Sequence, residues 1–436
     1  MSGIINRLSN LLANQIAAGE VVQSPASAIK ELVENSIDAG ASYVIVSIKE
    51  GGKKSIQVID DGKGMSSDDA LMAFERHATS KISTVEDLFA INTFGFRGEA
   101  LASIASVAEV ELQTRREEDE IGIMVSINGG TFVSSEPVAY PSCGSQFVVK
   151  NLFYNIPARK KSLKTDFAET KKVIKEFEKI ALCYPKVAFS LYADDKLLYM
   201  LPSTNNIRQR ILSLSGKSIG KALVELYVNT SMVEVKGYIG KPEIAKKRPD
   251  TFLFVNGRYF DSPYFFKAVQ NGYDKLIPDG SYVPFFLYLN VDSQSIDVNI
   301  SPTKTAVKFD EEQAIWQIIN AAVRESLGKN GIIPMIDFDS NTNDADMAAS
   351  PVYLSTVSKE FTAYSEKLQS SPTTTYNPFN DSFSFSKAVS GKTDSFRDLS
   401  QDDKVVLTDE LVDSFDTSGD IGLELDSESF TSMSEV

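Results

Sequence analysis

Apolar and polar positions follow two different periods over the first three quarters of the chain and neither period over the last quarter. Between Ser24 and Gly40, the residues Ile29, Leu32, Val33 and Ile37 recur at three- and four-residue intervals, which is the spacing of one helical face. Ser24 suits the N-cap, Pro25 the first helical position and Gly40 the C-terminal cap. The pattern then shortens. Tyr43–Ile48 and Ser55–Asp60 predict two strands joined by a Gly51-Gly52 turn. Further helices are predicted near Ser66–Arg76, at Ala100–Val107, near 166–182 and near 311–327. Further strands are predicted over roughly 109–150, near 187–201, at Phe252–Asn256 and at Phe285–Asn290. No internal repeat is visible, and the mixture predicts an α/β (α+β) protein. The expected division is a first domain over 1–203, a second mixed domain over 204–335, and a low-complexity tail over 336–436.

Composition sharpens this division. The 436 residues suffice for two or three domains. The net charge of -15 is unevenly placed. Residues 336–436 hold 20 acidic against 6 basic side chains, a net of -14, which leaves -1 for residues 1–335. The low pI therefore belongs to the tail and does not exclude nucleic-acid binding by the body. Ser370-Ser371-Pro372-Thr373-Thr374-Thr375 is typical of that tail, and its composition predicts disorder. No apolar run approaches the ~18 residues of a membrane span, and Met1–Arg7 lacks the apolar region of a signal peptide. A cytoplasmic protein is expected. Cys143 and Cys183 are too few for a zinc cluster and are expected to be reduced thiols. The single histidine, His77, excludes mechanisms that need two.

Three short patterns could support chemistry. Glu31 and Asn35 lie four apart, on the face of the first helix opposite its apolar stripe, with Glu34 and Asp38 beside them. A carboxylate there can position water, and an amide oxygen can help hold Mg²⁺, which takes hard oxygen ligands. Asp60 ends a strand and is followed by Gly62 and Gly64; a carboxylate beside an open backbone can accept hydrogen bonds from an adenine amino group. Gly95 and Gly98 precede a helix N-terminus, a place where backbone N–H groups bind phosphate. Each pattern also has an ordinary reading: a solvated face, an Asp-Gly turn, a plain loop. Neither a Walker A loop nor a Rossmann fingerprint is present.

The ordered set Glu-x-x-x-Asn, strand-Asp-x-Gly-x-Gly and Gly-Phe-Arg-Gly-Glu-Ala resembles the GHKL ATPase superfamily, which includes gyrase B subunits, Hsp90 chaperones, histidine kinases and MutL. The wording is most similar to the MutL family of DNA mismatch repair proteins. It lies in Leu12–Val22, Lys30–Gly40, Arg76–Ile82, Gly95–Ile104, Asn151–Arg159, Phe254–Arg258 and Asp297–Lys304, so it covers about residues 1–335. The resemblance implies a GHKL-type ATPase sandwich, then a ribosomal-S5-like α/β domain, then the acidic tail. It implies ATP and Mg²⁺ as cofactors, with Glu31 as general base, Asn35 as magnesium ligand, and Asp60 as adenine-binding carboxylate beside Gly62 and Gly64. Thr79, Ser80 and Lys81 would fall in a mobile lid, and Gly95, Phe96, Arg97 and Gly98 in the phosphate-binding segment. Ser145 would lie near Asp60, and Lys304 would reach the γ-phosphate from the second domain. The implied partners are DNA, a MutS-type mismatch recognition protein and a second copy of the chain, paired by ATP.

The DNA surface is read from Arg159, Lys160, Lys161 and Lys164, from Lys246, Lys247 and Arg248, and from Arg258. Contacts to the phosphate backbone without base readout are expected. Two positions depart from the family pattern: Asp61 where Asn is common, and Ser301 where His is common. Asp61 brings a second charge towards the expected nucleotide, so its orientation matters. The family usually continues past such a linker into a C-terminal dimerisation domain. No Asp-Gln-His-Ala-like segment is present, and no nuclease activity is assigned. The competing class is an Hsp90-type chaperone with the same ATP site. A histidine kinase would need His77 as phosphoacceptor, and His77 lies in the lid wording.

Overall fold

The computed structural model describes residues 10–81, 98–140, 142–297 and 306–332, with the side chains of 10–14 excepted. All of these fall within one compact unit of the chain. The expected acidic tail lies outside the described residues, as do Gly95, Phe96, Arg97, Ser301 and Lys304.

Alternation of apolar and polar residues builds an eight-stranded sheet. Its order is β5 (Thr131–Val138), β4 (Gly122–Asn128), β3 (Glu109–Arg115), β6 (Gly144–Lys150), β2 (Ser55–Asp60), β1 (Tyr43–Lys49), β7 (Ala188–Ala193) and β8 (Lys196–Leu201). Neighbours run antiparallel except β1 and β7. Every second residue of β2 and β3 is buried, as expected for a sheet covered on one face. The cover consists of α1 (Asn10–Val21), α2 (Pro25–Asp38), α4 (Ala100–Val107) and α6 (Asp166–Cys183). Ile29, Leu32 and Val33 of α2, Ile104 of α4 and Phe177 of α6 share one core with Val46, Val58, Leu112 and Leu191 of the strands. A short helix, α5 (Pro157–Ser162), lies between β6 and α6 and buries none of its residues.

The second sheet has the order β12 (Arg258–Phe260), β11 (Thr251–Val255), β13 (Phe285–Asn290), β10 (Glu234–Gly240) and β9 (Leu223–Asn229). Two helices, α8 (Pro263–Asn271) and α9 (Glu312–Lys329), cover one face through Phe265, Val269, Ile319 and Val323. On the other face Phe252, Phe254 and Phe286 meet Leu182 of α6 and Ile211 of α7 (Ile207–Ser215). Helix α6 therefore belongs to both sheets. Its Phe177 ring lies 5.9 Å from Phe189 and 5.8 Å from Tyr199 of the first. Its Leu182 carbonyl accepts from Tyr288 Oη of the second at 2.9 Å, and Lys175 Nζ sits 4.3 Å from the centre of the Phe252 ring.

The predicted elements and the observed ones differ in a few places. The helix expected near Ser66–Arg76 is only α3 (Ser67–Met72). Ala70 is its one buried residue, so little packing sustains a longer helix. Beyond it, His77 adopts φ +65 and its N–H donates to Gly98 O at 3.1 Å. Helix α1 has no counterpart among the predicted elements; its small residues Ala13, Ala17, Ala18 and Gly19 give no clear apolar stripe. Among the described residues, no helix is long and apolar enough to cross a membrane.

Phe177→Ala should remove the buried ring that packs α6 against Phe189 and Tyr199 of the first sheet. A loss of about 3–5 kcal/mol is expected, seen as a lower urea midpoint with little change in the slope of the transition.

Candidate functional site

The site begins with how α2 is fixed. Ser24 caps its N-terminus, with a reciprocal hydrogen bond to Ser27, and Pro25 opens the first turn. The apolar stripe of α2 is buried against the sheet, which leaves Glu31 and Asn35 on the half-exposed side. The two residues are brought together on one face, as their spacing predicts.

Asp60 lies at the end of β2 and is 3% exposed. Ser36 Oγ, from α2, donates to Asp60 Oδ2 at 2.7 Å, and the Gly62 N–H donates to Oδ1 at 3.0 Å. Burial raises the proton affinity of this carboxyl; the donors Ser36, Gly62 and the Ser145 N–H work in the opposite direction, and Asp61 adds to the rise. Strand register supplies the rest of the wall. Asp60 faces Ser145 across β2 and β6, and Ser145 faces Thr114 across β6 and β3. Thr114 Oγ1 and Ser145 Oγ are 3.0 Å apart, and Thr114 Oγ1 accepts from the Met65 N–H at 3.0 Å. Burial and the Asp60 charge push the neighbouring Tyr140 hydroxyl up to about 12.

Two glycines are required here. Gly64 has φ +66, and a Cβ would overlap the Arg115 carbonyl; Gly144 has φ +126, and a Cβ would overlap the Asp60 carbonyl. Cys143, just before Gly144, donates from Sγ to Gly62 O at 3.0 Å. The turn after Asp60 is thus held from both sides.

Asp61 is engaged at the start of β1. Its Oδ1 accepts from the Ser42 and Tyr43 N–H groups at 2.7 and 2.9 Å, and its Oδ2 accepts from Ser42 Oγ. The extra charge is used to start strand β1.

The acidic face of α2 holds two lysines. Lys81 Nζ is 2.8 Å from Asn35 Oδ1 and 2.5 Å from Asp38 Oδ2. These hard oxygens already share one cationic partner, which fits the donor chemistry that Mg²⁺ prefers. Lys30 Nζ lies 3.2 Å from Glu34 Oε1, 3.3 Å from Glu34 Oε2 and 3.7 Å from Glu31 Oε1. Among the described residues, no group of three His, Cys, Asp or Glu side chains forms a metal cluster.

The remaining predicted residues are spread out. Thr79 Oγ1 accepts from the Lys81 N–H at 3.2 Å, and Ser80 is exposed. Gly98 has φ +61, and a Cβ there would overlap the Ala78 backbone. Of the basic clusters, Lys160, Lys161 and Lys164 are exposed, as are Lys246, Lys247 and Arg248. Arg159 is half-buried, its guanidinium against Gly19 and 6.0 Å from the Phe153 ring. Arg258 is half-buried in β12, close enough to Cys183 and Tyr184 for its charge to act on both.

Sequence reasoning missed Ser36 and Thr114. Thr114 was detectable as a polar residue in an inward slot of Val110-Glu111-Leu112-Gln113-Thr114. Ser36 gave no signal, because its partner lies 24 residues away.

An amide at position 60 can still accept from the Gly62 N–H, and its Nδ2 can donate to Ser36 Oγ in reversed direction, because Ser36 Oγ lies 3.2 Å from Leu32 O and can turn its hydrogen there. A carboxyl whose proton affinity is raised by folding costs stability once ionised. That cost is absent below the ordinary value of about 3.9 and complete above the raised native one. Asp60→Asn should therefore match the parent in acid and become the more stable of the two as pH rises to neutrality. Thermal melts across pH check this; a variant that loses stability at neutral pH contradicts it.

Comparison with known families supports what the geometry suggests. Residues 23–147 match a family described as histidine kinase-, DNA gyrase B- and HSP90-like ATPase, and residues 211–328 match the DNA mismatch repair protein C-terminal domain. The chain is 56% identical over 341 residues to the DNA mismatch repair protein MutL of Bacteroides fragilis, covering 78% of this chain and 54% of that protein. It is 53% identical over 389 residues to the MutL of Parabacteroides distasonis, covering 89% of this chain and 62% of the relative. The chain thus spans somewhat over half the length of these relatives. A solved structure described as the N-terminal domain of a DNA repair protein superposes with a TM-score of 0.64 at 24% identity, over 73% of this chain and 99% of that one. A point variant of the MutL ATPase domain of Aquifex aeolicus gives 0.51 at 23% identity, over 71% of this chain and all of that one. These two structures speak for the fold, and the sequence identities speak for descent: the chain belongs to the MutL family of DNA mismatch repair proteins.

Proposed function

We propose that this chain binds ATP with Mg²⁺, hydrolyses it slowly, and uses the nucleotide as a switch in mismatch repair. Residues 1–203 would form the ATP-binding domain and 204–335 a transducer. The observation that supports this best is the Ser36–Asp60 hydrogen bond of 2.7 Å. It ties the helix bearing Glu31 and Asn35 to the carboxylate expected to read adenine, so both ends of a nucleotide would meet one rigid frame.

In this reading Asp60 accepts from the adenine amino group, while Gly62, Gly64, Thr114 and Ser145 shape the pocket around it. Mg²⁺, when bound, neutralises phosphate charge, and Asn35 would hold it once Lys81 has yielded. Glu31 takes a proton from the attacking water. Glu31 suits that task better than Glu34. The Glu31 side chain is 24% exposed, and its nearest Lys30 contact is 3.7 Å. The Glu34 side chain is 10% exposed, with both oxygens against Lys30. Gly95, Phe96, Arg97 and Gly98 would bind phosphate, and Lys304 would reach the γ-phosphate from the second domain. Closure would pair two copies around DNA and answer to a MutS-type partner. The 56% and 53% identity to MutL proteins favours this reading over an Hsp90-like one.

General-base catalysis is worth about 10²–10⁴ in rate. Glu31→Ala should lose hydrolysis on that scale while nucleotide affinity stays within a few-fold, and Asn35→Ala should weaken nucleotide binding as well. Turnover together with calorimetric affinity decides; equal affinity losses in both variants would place the base elsewhere. For Asp60→Asn, losing hydrogen bonds to a charged acceptor should weaken ATP binding by roughly 10–100-fold.

DNA binding would rest on the exposed lysines, since Arg159 and Arg258 are held inward. Affinity should fall steeply with salt. Lys160→Glu with Lys161→Glu should lower it and flatten the salt slope by about 0.9 for each phosphate no longer neutralised. An unchanged slope in a filter-binding titration would move the groove elsewhere.

A further inference from the structure

Glu31 and Glu34 share one ammonium group, and the sharing is unequal. Lys30 Nζ faces both oxygens of Glu34 at 3.2 and 3.3 Å, but only Oε1 of Glu31, at 3.7 Å. Glu34 is buried, and the Lys30 and Glu34 side chains are 22% and 10% exposed. A pair so little exposed is fixed more firmly than a surface ion pair, because water competes for it less. Burial works against the charge on Lys30, yet Glu34 and Glu31 outweigh it and the ammonium holds its proton more tightly than usual. The result is a fixed positive charge on one side of Glu31.

We propose that Lys30, anchored by Glu34, is a positioning residue for Glu31: it draws Oε1 to itself and leaves Oε2 turned towards the attacking water. This rests on the reading of Glu31 as general base. A free glutamate on a helix surface samples several rotamers. One whose first oxygen is attracted to a fixed charge keeps fewer, and proton abstraction depends on that orientation. Lys30 itself need not touch nucleotide. The contact at 3.7 Å is longer than a hydrogen bond, so Lys30 restrains Glu31 by attraction and leaves its lone pairs available.

Three variants of the full chain separate this role from a structural one, with Glu31→Gln run in parallel. Lys30→Met should lower kcat by roughly tenfold, with nucleotide Kd within twofold, since misorientation of about 1 Å can cost up to 10²-fold. Lys30→Arg should restore most of that loss. Lys30→Met alone leaves Glu34 buried without its lysine and could destabilise the fold, so Lys30→Met with Glu34→Gln is the third. It should regain thermal stability while kcat stays low. If the double variant recovers turnover, or if Lys30→Met turns over normally while Glu31→Gln does not, the positioning role is wrong. If Glu31→Gln itself turns over normally, the assignment of the base fails instead.

Discussion

The candidate site depends on keeping the Asp60 carboxylate charged where water scarcely reaches it. At 3% exposure, burial raises its proton affinity, and three donors from three places oppose that rise: Ser36 on α2, Gly62 in the following turn and the Ser145 N–H on the next strand. Hydrogen bonds to a charged acceptor are the strong ones, and each donor fixes part of the surrounding structure. Ser36 sets the height of α2 above the sheet. Gly62 bends the chain back within two residues. Ser145 requires the register of β6 against β2, and through it that of β3, whose Thr114 completes the wall. Gly64 and Gly144 follow from the same constraint, since side chains there would collide with carbonyls of Arg115 and Asp60.

Helix α2 has two sides with different tasks. Its apolar side packs Ile29, Leu32 and Val33 into the first core, which makes it rigid. Its other side sets Glu31, Glu34, Asn35 and Asp38 along one line, where Lys30 meets the two glutamates and Lys81 meets Asn35 and Asp38. Behind it α6 bridges the two sheets, with Phe177 in the first core and Leu182 against the phenylalanines of the second. The helix bearing Glu31 and Asn35 is thereby connected through packed side chains of α6 to Phe252, Phe254 and Phe286 of β11 and β13.

Much of this is legible in the sequence. The Ser24 cap, the Pro25 start and the stripe of Ile29, Leu32 and Val33 define α2 almost to the residue, because capping and periodicity are local. Glu31 with Asn35, and Asp60 with its glycines, are legible for the same reason. What the sequence does not reveal is set by register or by tertiary packing. Ser36 matters only because β2 ends beneath it. Asp61 is turned to Ser42 and Tyr43 by the start of β1. Lys30 reads as an ordinary helix lysine until the burial of Glu34 is known. The helix expected near Ser66–Arg76 is cut short because only Ala70 of α3 packs inward. Arg159 and Arg258 read as surface bases, while packing against Gly19 and proximity to Tyr184 hold them half-buried.

The central claim is that one rigid frame, joined by Ser36 and Asp60, receives both ends of a nucleotide. A crystal structure of the chain with Mg²⁺ and a non-hydrolysable ATP analogue tests it most directly. The account predicts the adenine amino group against Asp60, the metal on Asn35 Oδ1, the Lys81 ammonium displaced from that oxygen, and the Ser36–Asp60 bond unchanged. A base bound away from Asp60, or a metal-loaded site with Lys81 still on Asn35, would contradict it.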